Sequence, residues 1–405
     1  MLTEGSCGKS RMKNGFGPST KRSFEVFFRG RIIVMALALI VFGCYSLQGT
    51  AEKDGSRQVH PLCQPLSISC DGPFVELEDG SLMTVDNGGV RVSKDNGKTW
   101  SEKRLVHEGV DGLRDGRAPA TAYIVRTKND VLVVVYLDAT TYNFSWDNSI
   151  NQPKDDCKLE VWAIRSLDGG KTWIDRQRIL EGYNPNFFGF IQIDNGRLVT
   201  CVPHLVREPG RYVACSLTSD DDGKTWQRSN LVDLGGHGHH SGAMEPTVAQ
   251  LTDGRLLMMI RTNWGRFWEA YSDDGGLTWR TIRPSSLESI SAPGYLLMLK
   301  SGRLAFVSNG KEGRRRELLL RFSEDDAKTW SDGVVIVRQD IGEISYPYFW
   351  ERCPGELWIT VGRARKMSGG DRGLNNPWPV RLRVNEGDFC GDLQAGEGMS
   401  RQIDE

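Results

Sequence analysis

The chain has almost no net charge, few cysteines and no apolar run long enough to span a bilayer with ease. Its 51 Lys and Arg against 52 Asp and Glu give −1 at neutral pH, which leaves no electrostatic footprint for a nucleic-acid partner. The apolar stretch Ile32–Gly43 holds only twelve residues, whereas a spanning helix needs about twenty. Nine cysteines in 405 residues are too thinly spread to build a disulfide scaffold. What is present is globular in character: 46 Gly, 12 Trp, 9% aromatic and 25% charged residues exclude a disordered or collagenous chain. Twelve tryptophans is a high number and calls for an architectural reason.

The first 51 residues stand apart. Lys9, Arg11, Lys13, Lys21, Arg22, Arg29 and Arg31 face only Glu4 and Glu25, and the apolar stretch follows them. That order resembles the charged and hydrophobic regions of a secretory signal, with Gly49-Thr50-Ala51 as the small-x-small cleavage site and a mature chain from near Glu52. A start at Met12, an uncleaved anchor, and lipidation at Cys44 through Val41-Phe42-Gly43-Cys44 are the alternatives. Without residues 1–51 the balance becomes 44 basic against 50 acidic side chains, so the exported body is mildly acidic. Seven cysteines remain there, and Cys201 and Cys215 flank the turn at Glu208-Pro209 almost symmetrically. Two buried thiols are expected in preference to a bridge.

One octapeptide then recurs five times: Ser93–Trp100, Ser166–Trp173, Ser219–Trp226, Ser272–Trp279 and Ser323–Trp330, at spacings of 73, 53, 53 and 51 residues. Its Asp can accept from backbone N–H groups further on, its Gly supplies positive φ, and its Trp can wedge between sheets. It is therefore read as a structural turn and not as a calcium loop, which would need a bidentate Glu at its twelfth position. Ala327 replaces the Gly in the fifth copy, which predicts a strained or altered turn. Strand–turn–strand patterns precede each box, for example Thr247–Arg261 about Asp253-Gly254. A sixth unit, Ser345–Val384, keeps the strands but lacks the box. The expected fold is all-β, one four-stranded blade per repeat, with blades near 72–110, 116–180, 183–233, 242–284, 290–338 and 343–395. Strand alternation puts the first hairpin turns and the boxes on one rim; the starts of first strands and the second-to-third-strand loops share the other, where function should collect.

The box and blade pattern resembles the Asp-box (BNR) repeat of the sialidase superfamily, which implies a six-bladed propeller over residues 62–395 with a short tail at 396–405. It further implies an exported exo-α-sialidase-like glycosidase acting on an anionic glycan, with no nucleic-acid partner, no membrane span in the mature chain, and no cofactor or metal. In that family three arginines hold a carboxylate, a Glu activates a Tyr nucleophile, and an Asp is the acid; a neutral phenol meets less repulsion from the sugar's carboxylate than Asp or Glu would. The resemblance assigns Tyr346 in Ser345-Tyr346-Pro347 as nucleophile, Glu245 in Met244-Glu245-Pro246 as its base, and Arg261 and Arg315 as carboxylate ligands, with Arg314 or Arg316 able to substitute for Arg315. Arg117 in Gly116-Arg-Ala-Pro matches the remaining arginine and Asp155 the acid, with Asp138, Asp147 and Asp156 as rivals. Both fall in the second blade here and in the first blade of the family. Gly236–His240 is a second departure: His239 and His240 on the functional rim are candidates to contact substrate or to replace the acid. Another acidic-glycan hydrolase or lyase, or a non-catalytic binding propeller, is the alternative. Trp146, Trp264 and Trp268 are candidates to stack on sugar faces.

Overall fold

The computed structural model describes residues 57–86, 89–107, 121–311, 314–365 and 378–389. They form a six-bladed β-propeller, in which each blade is an antiparallel sheet whose first strand lies innermost. Blade one comprises Phe74–Glu76, Leu82–Asp86, Gly89–Ser93 and Arg104–Leu105. Blade four comprises Met244–Gln250, Leu256–Arg261, Arg266–Ser272 and Thr281–Glu288. Second strands are almost wholly buried, as in Leu132–Leu137 and Leu256–Arg261. Both faces of such a strand pack on neighbouring sheets, so its sequence is continuously apolar instead of alternating.

The last blade departs from the expected boundaries. Glu343–Cys353, Glu356–Arg365 and Arg381–Asn385 supply three strands, and the fourth is Gln64–Pro65 from before blade one. Arg57–Val59, ahead of the expected start at 62, adds a fifth strand to blade five by pairing with Val337–Gln339. The two ends of the propeller are thus tied by backbone hydrogen bonds, which removes an open sheet edge.

All five boxes fold alike. In the first, the Ser93 hydroxyl accepts from Gly97 N at 2.8 Å, and Asp95 accepts from Thr99 N and Thr99 Oγ1 at 2.8 and 2.6 Å. The Thr99 and Ser93 hydrogen bonds hold the Asp95 carboxyl down at about 2. Trp100 Nε1 closes the turn on Gly97 O at 3.0 Å. The carboxylate is fully used by its own loop, which favours the structural reading of the repeat. In the fifth copy Ala327 adopts φ 65° and keeps the Ser323 and Thr329 hydrogen bonds; the turn is strained but not altered.

Side chains on this rim also fasten adjacent blades. Gln192 accepts from Lys128 N, Gln250 from Asp194 N, and Glu351 from Lys300 N, at 2.7 to 2.9 Å. They surround an axial cavity of about 620 Å³ that narrows onto Tyr123, Tyr295 and Tyr348. Cys201 and Cys215 are free, buried thiols: Cys201 pairs with Ser216 and Cys215 with Val202, one position out of register with each other. Among the described residues no helix is long and apolar enough to cross a membrane.

Candidate active site

Three first-strand openings and one loop converge at the rim opposite the boxes. Glu245 is the second residue of its strand, at φ 40°, and a break in register between Met244 and Thr247 turns its side chain off the sheet. Pro246 follows, so the backbone N–H that a regular ladder would use is missing there. Arg261, at the end of the next strand, sits opposite Met244 and reaches back to the Glu245 carboxylate. Tyr346 opens blade six at φ 64°, again before a proline. Its hydroxyl donates to Glu245 Oε1 at 3.0 Å across 101 positions of sequence.

Glu245 therefore has one oxygen on the Tyr346 phenol and the other on the Arg261 guanidinium. Both charged partners are 7% exposed, so the ion pair works with little solvent screening. Burial alone would lower the Arg261 pKa, but Glu245 and Tyr346 hold it above the ordinary arginine value. The Nη2 of Arg261 donates to Ser291 Oγ at 3.3 Å, and its buried Nε has no protein partner. Arg315, at φ 60°, donates to the Ser291 carbonyl at 2.5 Å and to Glu343 at 3.1 Å. Glu343 is in turn fixed by the Ser345 hydroxyl at 2.8 Å.

An aromatic bank borders this polar centre. Phe144 stacks near Trp146 and Tyr183, and His239 contacts Phe144 at 4.6 Å and His240 at 4.0 Å between ring centroids. Burial, then His240, holds His239 down at about 4. His240 is lowered by burial, then by the positive charge of Arg261; Glu245 pulls the other way, and Arg315 adds a smaller lowering. Burial, with Tyr142, Cys157 and Glu245 among the neighbours, pushes the Tyr183 phenol above its usual range. His237 anchors the loop to Asn151 O at 2.9 Å.

A family model described as a BNR repeat-like domain matches residues 87–359. The chain belongs to that family, within the sialidase superfamily. A sialidase of Micromonospora viridifaciens is 25% identical over 301 residues, which are 65% of this chain and 44% of that protein. A sialidase of Clostridium perfringens is 25% identical over 249 residues, 54% of this chain and 62% of that protein. The chain spans about half the length of the curated relatives it matches. Among solved structures, a variant NanB sialidase from Streptococcus pneumoniae superposes with a TM-score of 0.51 at 15% identity, covering 81% of this chain and 71% of that one. At that identity the likeness speaks for the fold.

Within this sialidase-superfamily propeller the expected site residues divide. Glu245, Arg261, Tyr346 and Arg315 come together, and His240 lies within their electrostatic reach. Asp155 does not join them: it is 85% exposed and paired with Arg207. Of its rivals, Asp138 is buried against Arg176 at 2.9 Å, and Asp147 caps Ser149 at 2.9 Å in the Trp146–Asp147/Gln152–Pro153 hairpin. The Asp156 carbonyl holds Asn143 at 3.0 Å. Arg117 lies outside the described residues. Trp268 packs edge-on to the exposed Trp264 at 5.8 Å. Ser291, Glu343 and the tyrosines behind Glu245 were not legible in sequence. The one available signal was positional: Ser291-Ala292-Pro293 opens blade five much as Glu245-Pro246 and Tyr346-Pro347 open its neighbours. Among the described residues no group of three or more His, Cys, Asp or Glu is placed to hold a metal ion.

Proposed function

We propose that this propeller is a retaining exo-α-sialidase-like glycoside hydrolase for a terminal anionic sugar. The supporting observation is the Tyr346–Glu245–Arg261 network, in which a phenol and a guanidinium share one buried carboxylate. Glu245 takes the phenol proton as Tyr346 Oη attacks the anomeric carbon; the glycosidic bond breaks, and the leaving oxygen needs a proton. We assign that proton to His240, which faces Arg261 and Arg315, and not to Asp155, whose carboxylate is spent on Arg207. Water then cleaves the tyrosyl–sugar bond with His240 as base, returning the proton to Tyr346 through Glu245. Arg261 and Arg315 hold the sugar carboxylate and so fix the ring with its anomeric carbon toward Tyr346. The basic-then-apolar stretch before Glu52 reads as an export signal, which supports an activity outside the cytoplasm.

The test is turnover of a fluorogenic α-sialoside. Wild type is expected to release the fluorophore with retention at the anomeric carbon, and Tyr346→Phe to lose at least about a thousandfold in kcat, as removal of a nucleophile does. A folded wild type inert to a panel of α-sialosides overturns the assignment.

A further inference from the structure

Glu245 and Tyr346 share an unusual backbone: each lies within the first few residues of a first strand, just before a proline, in the left-handed region at φ 40° and 64°. Such a conformation is strained for any residue but glycine, and it persists only where the surroundings enforce it. Blade five, which lies between theirs, has a left-handed residue too, just ahead of its first strand. Ser291 precedes Gly294–Met298 at φ 59°. Its loop is held from within, because Ser291 N donates to Ser289 Oγ at 3.2 Å, and Ser289 is itself buried.

Ser291 turns two oxygens toward two different arginines. The hydroxyl accepts from Arg261 Nη2 at 3.3 Å and the carbonyl from Arg315 Nη2 at 2.5 Å. These side chains come from blades four and five, and like charges brought together repel unless something neutral or negative holds them. Glu343 accepts from Arg315, and Glu245 from Arg261. Ser291 accepts from both.

We propose that Ser291 is a positioning residue that sets the spacing of the Arg261 and Arg315 guanidinium groups, and so the site's selectivity for a carboxylate on a sugar ring. The role rests on the hydrolase reading given above. It assigns serine no part in bond making: the residue acts through the arginines and forms no covalent intermediate.

Calorimetric titration of the full chain with 2,3-didehydro-N-acetylneuraminic acid and with its methyl ester tests the role. Ser291→Gly keeps the left-handed backbone and its carbonyl but removes the hydroxyl; Ser291→Asn tolerates the same φ and restores an acceptor. Wild type is expected to prefer the acid. In Ser291→Gly the acid should bind about tenfold more weakly, as loss of a hydrogen bond to a charged group implies, with ester binding little changed. In turnover KM should rise while kcat stays within about threefold, the pattern of lost uniform binding. Ser291→Asn should recover most of the acid preference, which a purely structural defect would not allow. A folded Ser291→Gly that keeps the wild-type acid-to-ester ratio overturns the positioning role alone. Wild type that binds neither probe overturns the hydrolase reading and this role with it.

Discussion

The two rims of the propeller are built on opposite principles. On the box rim one eight-residue turn is repeated five times, and in each copy the Ser, Asp and Thr groups and the Gly (Ala327 in the fifth) satisfy one another within five or so positions. On the other rim each residue occurs once, and contacts between blades complete the network, as Tyr346 meets Glu245 across 101 positions. Repeated local satisfaction makes a stable frame that tolerates the loss of one copy. Convergence of single residues makes a site that no blade can form alone, held at left-handed backbone positions that cost energy. The frame absorbs that cost.

Breaking the unique rim should have the largest effect. His240→Asn is expected to lower kcat by about a hundredfold, the contribution of a positioned acid, with little change in thermal midpoint. The wild-type pH profile should carry a matching signature. A donor acts only while protonated, so activity falls as pH rises through its pKa; burial and the charges of Arg261 and Arg315 favour the neutral ring. The free enzyme's descending limb in kcat/KM is thus expected below the ordinary histidine value of about 6.5. A limb unchanged in His240→Asn shows that the proton comes from elsewhere.

Breaking one copy on the repeated rim should be milder and of another kind. Asp221 in the third box accepts from Thr225 N and Thr225 Oγ1 at 2.8 and 2.6 Å. The Ser219 hydroxyl also donates to Asp221 at 2.8 Å, so Asp221→Ala is expected to cost about 2 kcal/mol, in line with three lost hydrogen bonds at a partly exposed site. Denaturant unfolding measures it, and kcat/KM should not move. If activity falls with stability untouched, the rims are not separable in this way.

The smallest effect sharpens the comparison from the other side. Ala327 sits at φ 65° where the other boxes have glycine, and its methyl is buried. Relief of left-handed strain is worth about 1–2 kcal/mol, against about 0.8 kcal/mol for the methyl removed from the core. Ala327→Gly should therefore stabilise the fold by up to about 1 kcal/mol, read as a slightly higher denaturation midpoint. A loss of stability means that packing of the methyl outweighs the turn.

Legibility in the sequence followed the same division. Trp100, Trp173, Trp226, Trp279 and Trp330 were readable as turn residues because the Ser, Asp and Thr hydrogen bonds that define the turn lie within the octapeptide. Glu245, Arg261, Arg315 and Tyr346 were readable only through resemblance to a family order. Nothing in their neighbourhoods announces that Glu245 would lie 3.0 Å from Tyr346. Asp155 was chosen by its interval before a box, and that interval says nothing of Arg207, which is 52 positions away and captures it. Gln64–Pro65 was missed as a blade-six strand because a two-residue strand has no periodicity to detect, and its partner lies over 300 positions on.

The amino-acid sequence by itself determined the repeat, the box turn, the number of blades and which rim is free to carry chemistry, because each follows from short-range hydrogen bonding and strand alternation. Tertiary structure alone decided the closure of the ring, the sharing of Glu245 between a phenol and a guanidinium, the capture of Asp155 and the place of Ser291 between two arginines. Those depend on which side chains a closed ring brings within a few ångströms, and closure is a property of all six blades together.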